Sequence, residues 1–159
     1  MSNNPVTRFS VPGFILQLDW SQRALVGLAG LGVLDAGYLV WVKLADSDGL
    51  CAGLGDCAAV NTSVYSEMFG APIAAFGLAL YLTILALLVM ETRQPGTRGW
   101  GELSIFGLSL AGMIYSTWLT YVEAAILRAI CPFCVASAVL ITAILVVSTV
   151  RVVRHAAAD

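Results

Sequence analysis

The sequence predicts an all-α integral membrane protein, a bundle of four transmembrane helices with a short lid helix in the first outer loop. Three observations predict it. Of 159 residues, 59% are hydrophobic and 11% charged, with a mean hydropathy of +0.88, more apolar surface than a soluble domain of this size can bury. Four windows reach the roughly 20 mostly apolar residues that cross a bilayer. The basic residues collect at alternate window ends. A net charge of −2 without a long basic run excludes nucleic acid and polyanionic partners.

Residues 1–23 read as a cytoplasmic or interfacial segment. Phe9, Phe14, Leu16, Leu18 and Trp20 either lie along the interface or belong to a loose tail. No small-residue cleavage site precedes Trp20, so the first span is expected to be an uncleaved anchor. That span, 24–44, carries Asp35 near its middle and Lys43 at its end. An ionisable group at this depth is costly. It points either to proton delivery or, the reading preferred here, to a structural carboxyl bonded to a hydroxyl such as that of Tyr38 or Thr83. Gly27, Ala29, Gly30 and Gly32 are expected to let a neighbouring helix approach closely.

The loop from Ala45 to Ala71 changes character along its length. It is rich in Gly and Asp around Cys51, which predicts an exposed, flexible chain. From Cys57 onward Val60, Val64 and Met68 fall on one side of a short helix ended by Gly70 and Pro72. That helix is expected to lie over the bundle as a lid, with a plain amphipathic surface helix as the alternative. The remaining spans, 72–90, 103–122 and 131–150, contain no charged residue. Glu67 and Glu123 are expected as outer-surface charges. Residues 24–154 then form one catalytic domain and 155–159 a short cytoplasmic tail.

Orientation follows from Arg8 and Arg23 before the first span, Arg93 and Arg98 between the second and third, and Arg151 and Arg154 after the fourth, against Lys43 and Arg128 on the other side. Basic residues stay cytoplasmic, which puts both termini inside. All four cysteines then lie on the outer face, where disulfides persist.

Those cysteines carry the chemistry. Cys51 and Cys57 occupy the polar loop, and Cys131-Pro132-Phe133-Cys134 opens the fourth span. Pro suits the first turn of a helix, so Cys131 is expected at the N-cap. There the helix dipole and unpaired N–H groups favour its thiolate. Cys134, one turn deeper, faces an apolar acceptor. Two dithiols in separate segments form a relay that one pair alone cannot. Soft-metal binding or transport is the alternative, opposed by the wide Cys51/Cys57 spacing and the absence of a nearby His; His155 lies in the tail. Two inert structural disulfides are the other alternative, although closing so small a loop at a CxxC stabilises little.

Taken together, Cys51 and Cys57 in the first outer loop, Ser63 six residues on, Phe76-Gly77 at the start of the next span and the Cys131–Cys134 motif on the fourth helix resemble the vitamin K epoxide reductase family over residues 24–150. The rival with two outer pairs, the DsbB-like family, has them in the reverse order. The resemblance implies that Cys51 exchanges with a reduced partner, Cys57 passes the electrons to Cys131, and Cys134 reduces a bound quinone of the menaquinone, ubiquinone or phylloquinone class. Ser63 would support the loop cysteines. Animal members carry an Asn and a Tyr that bind the quinone oxygens. The matching positions here are Ile73 and Ala138, which implies quinone reduction of the bacterial kind rather than epoxide reduction. Phe76, Phe133 and Tyr115 are the expected aromatic wall of the quinone site. With no thioredoxin-like segment after the fourth helix, the partner is expected to be a separate thioredoxin-like (DsbA-like) protein on the outer face of a bacterial cytoplasmic membrane.

Overall fold

The structure, a computed structural model, describes residues 19–45, 67–68, 71–94, 96 and 98–157. Cys51, Cys57, Ser63, most of the expected lid and the aromatic residues before Asp19 lie outside the described residues. The helices are α1 (Trp20–Leu44), α2 (Ile73–Arg93), α3 (Arg98–Tyr121) and α4 (Pro132–Ala156). Each is long and apolar enough to cross a membrane.

The ends depart from the apolar windows. α1 starts at Trp20 rather than residue 24, and α4 runs on to Ala156, because the i to i−4 ladder continues through the interface as long as nothing breaks it. Between α1 and α2, β1 (Glu67–Met68) pairs antiparallel with β2 (Ala71–Pro72). Met68 therefore belongs to an extended segment and not to a lid helix reaching Gly70. Pro72 forces the residue before it out of the helical region, which favours a strand there. α3 continues beyond residue 122 as a wider π-helical segment, Val122–Leu127. That segment ends at Arg128 in the left-handed conformation (φ 52°), with the Ala129 N–H donating to the Glu123 carbonyl at 3.2 Å.

The helices pack in ring order, α1 against α2 and α4, and α3 against α2 and α4. Leu25, Ala29, Ala36, Tyr81, Ile84, Leu88, Ile105, Ile141 and Ile144 fill the centre. Leu34, Trp41, Ile114, Trp118 and Val139 point outward, as a lipid-facing perimeter requires. Hydroxyls join the spans internally: Ser109 and Ser148 meet at 3.2 Å between α3 and α4, and Thr142 donates to Met113 Sδ at 3.0 Å.

Of the glycines on α1, Gly32 is the one that admits a neighbour across the helix face, for a Cβ there would overlap the Tyr81 ring; at Gly27 and Gly30 it would meet nothing within 4 Å. Gly32→Ala must displace that ring and is expected to cost about 1–3 kcal/mol, as overpacking does, whereas Gly30→Ala is neutral or slightly stabilising. Thermal denaturation midpoints in detergent check the pair.

At the end of the bundle remote from the CxxC, Arg151 is buried, and its Nη2 donates to Glu91 Oε2 at 2.8 Å and to Glu102 Oε1 at 3.1 Å. It is thus an internal clasp joining α2, α3 and α4 as well as a flanking charge. The next arginine, Arg154, lies 5.7 Å from the centre of the Trp20 ring.

Candidate functional site

Cys131 caps α4 in an extended conformation with Pro132 at the first helical position, and the Val135 N–H returns to its carbonyl at 3.1 Å. Its side chain is 2% exposed. The Cys131 and Cys134 side chains are in contact. That contact is the largest cause lowering the Cys131 thiol, which sits just before the span, to about 7. Burial opposes the effect. The backbone N–H groups of Cys134 and Phe133 reinforce it, and the nearby Glu123 carboxylate works against it. A hydrogen bond to the charged form favours that form, so the neighbouring S–H contributes more than the helix-end amides that the sequence brings to mind.

Glu123 is not a surface charge. It lies in the π-helical segment and is 4% exposed, and its Oε2 accepts the Cys131 backbone N–H at 3.1 Å. The i to i+5 spacing of a π-helix widens the turn and redirects its side chains, here bringing a carboxylate under the CxxC. The apolar run around Glu123 and its distance of eight residues from Cys131 were the available signal, on the same argument that marks Asp35 as costly.

Below the cysteines the four helices line a cavity of about 310 Å³. α1 lines it with Ala36 and Leu39, α2 with Ile73, Phe76, Leu80 and Tyr81, and α3 with Tyr115 and Leu119; Glu123, Cys131, Cys134, Ser137 and Ile141 complete the wall. Its volume and mostly apolar lining suit a small apolar ligand held by few polar groups. The polar marks include Tyr81, whose hydroxyl donates to the Ser137 carbonyl at 3.1 Å and lies 3.0 Å from Ser137 Oγ. Asp35 hydrogen-bonds the same serine side chain, and its Oδ2 has no partner. The hydroxyl that meets Asp35 from α4 is thus that of Ser137. Thr83 instead donates to the Ala79 carbonyl of its own helix at 2.7 Å.

Of the site residues expected from the sequence, the cavity brings together Cys131, Cys134, Phe76, Tyr115 and Ile73. Phe133 and Ala138 are not among its lining. Phe133 stacks on Tyr38 of α1 with ring centres 4.9 Å apart, while the Ala138 carbonyl accepts the Thr142 hydroxyl at 2.6 Å. Each is one helical turn from a lining residue, Phe133 from Ser137 and Ala138 from Cys134, so helical spacing alone does not separate them from the wall. Tyr81 and Ser137, which sequence reasoning did not single out, take part instead.

Comparison with known proteins agrees with this architecture. The model of the vitamin K epoxide reductase family matches residues 23–149. A relative from Arabidopsis thaliana, thiol-disulfide oxidoreductase LTO1, is 31% identical over 114 residues, 68% of this chain. The chain spans about 30% of that relative's length. Four apolar spans in a ring, a CxxC at the head of the fourth and a family match across nearly all of the bundle lead to one assignment: the chain belongs to the vitamin K epoxide reductase family.

Proposed function

We propose that this protein oxidises the thiols of a thioredoxin-like partner on the outer face of the membrane and hands the electron pair to a quinone dissolved in the bilayer. The observation that carries the reading is the Cys131/Cys134 dithiol opening onto an apolar cavity among four membrane-spanning helices. The residues present fit a quinone ring. Phe76, Leu80, Tyr115 and Ile141 offer apolar and aromatic walls. The Tyr81 and Ser137 hydroxyls stand in the cavity as hydrogen-bond groups for its oxygens, a task that positions 73 and 138, Ile and Ala here, cannot perform.

A bound quinone supplies a two-electron, two-proton acceptor. Cys134, within the cavity wall, is the sulfur that faces it. Cys131, held as a thiolate by its neighbour and by the helix-end amides, closes the disulfide and is then the sulfur that Cys57 reopens. Cys51 exchanges with the partner, and Ser63 steadies the loop cysteines. The charge bias of Arg23, Arg93 and Arg154 against Lys43 and Arg128 supports both termini inside and the CxxC outside.

The test is anaerobic quinone reduction by the purified full chain, with a reduced dithiol as donor, followed by quinone absorbance. Turnover that prior alkylation of the thiols abolishes is the expected result. Failure with menaquinone, ubiquinone and phylloquinone analogues alike would overturn the reading and return the cysteines to metal-binding or structural roles.

A further inference from the structure

We propose that Glu123 is the proton-exchange group of the CxxC: it takes the Cys134 proton when that sulfur attacks and returns it when that sulfur leaves. Three observations converge on this carboxylate. It is 4% exposed in the apolar interior, where an ionisable group is retained at a cost. One oxygen accepts the Cys131 backbone N–H at 3.1 Å, which fixes the carboxylate against the motif. The same side chain lies close enough to the Cys134 thiol to interact with it and lines the cavity together with both cysteines. Besides the cysteines, the other ionisable side chains in that wall are Tyr81 and Tyr115. Tyr81 is engaged by Ser137, and Asp35 reaches the same serine rather than the sulfurs.

Protons and electrons balance in both directions. The pair starts as a Cys131 thiolate and a Cys134 thiol. On oxidation the Cys134 S–H bond breaks, the Cys131–Cys134 S–S bond forms, and two electrons leave for the acceptor. The Cys134 proton crosses to Glu123 and then to an acceptor oxygen. The second proton enters from outer-face water and matches the one that Cys131 released on becoming a thiolate. In the other direction an incoming thiolate opens the disulfide at Cys131, and Cys134 leaves with a proton from Glu123. Delivery to a quinone oxygen rests on the function proposed above; exchange with Cys134 does not.

The experiment therefore uses an oxidant that is not a quinone. In a Cys51→Ser/Cys57→Ser background, dithiobis(nitrobenzoate) reacts first with the Cys131 thiolate. Cys134 then resolves the mixed disulfide and releases a second coloured thiolate in a first-order phase. Glu123→Gln keeps an acceptor for the Cys131 N–H but cannot take a proton. The second phase is expected to slow by about 10²-fold in Glu123→Gln and Glu123→Ala alike, the lower end for a lost general base. Glu123→Asp retains part of the rate, and the first phase stays within a few-fold. A Glu123→Gln second phase at the wild-type rate would overturn the proposal and leave the carboxylate a purely structural acceptor. If Gln does not fold, the wild-type second phase decides alone, since it must slow in D2O; an unchanged rate there would also overturn it. Wild-type quinone turnover measured in parallel separates the two hypotheses: its absence counts against the quinone reading, while the two-phase result still decides Glu123.

Discussion

Cys134→Ala is expected to lower dithiol-driven quinone reduction by at least about 10³-fold, as removal of a reacting group does, while leaving a folded chain. The loss has a second signature in the sulfur that remains. The Cys134 contact is the largest influence holding the Cys131 thiol down at about 7. Without it, burial and the Glu123 carboxylate act against the thiolate with only the backbone amides in opposition. The pH at which Cys131 alkylates at half its maximal rate is therefore expected near 7 when Cys134 is present, in a Cys51→Ser/Cys57→Ser background. It should move up toward the ordinary thiol value in the Ala variant. The sign comes from the reactive form: a lowered value means the thiolate dominates above neutrality, so removing the lowering contact shifts the rate profile to higher pH. Peptide-resolved alkylation across pH checks it. A profile that stays near 7 would show that the helix end, and not its neighbour, activates Cys131.

Arg151→Met is expected to be the most destabilising change at the opposite end. The guanidinium is 8% exposed and bonds Glu91, itself 1% exposed, at 2.8 Å. Removing one partner of a buried pair leaves the other charge without compensation, at about 3–5 kcal/mol. Here two carboxylates, Glu91 and Glu102, would face each other, with His155 Nδ1 3.8 Å from Glu102 Oε2. A fall in the detergent denaturation midpoint on the order of 10 °C is expected. Adding Glu91→Gln should recover a measurable part, because it removes the orphaned charge. A single Arg151→Met chain as stable as wild type would show that the clasp adds nothing to the bundle.

The helices were legible because their signal is composition: a run of about twenty apolar residues means a span wherever the chain is embedded. Their ends were not, since Trp20, Glu91 and Arg151 extend a helix into the interface without belonging to an apolar window. The CxxC was legible because Pro132 marks the helix start by covalent geometry alone. Glu123 was misread for the opposite reason. Its place depends on a π-helical segment, which leaves no periodic trace in the sequence, so the residue looked like a charge at a span's end. Phe133 and Ala138 show the same limit from the other side. Spacing along α4 sets each of them one turn from a lining residue, and only the packing of Phe133 against Tyr38 shows where that ring goes instead.

The π-helical segment Val122–Leu127 also makes the connection between the last two spans intolerant of length change. Each residue removed from a helix rotates its two remaining halves by about 100° relative to each other and brings them about 1.5 Å closer along the axis. Deleting Ala124 or Ala125 would let the segment relax to an ordinary α-helix, and that relaxation would swing the Glu123 carboxylate off the cysteine pair while the hydrophobic pattern hardly changed. A single-residue deletion scan between Tyr121 and Arg128 should thus yield chains that insert and fold yet have lost the alignment of acid and sulfur, so that in this stretch residue number matters more than residue identity.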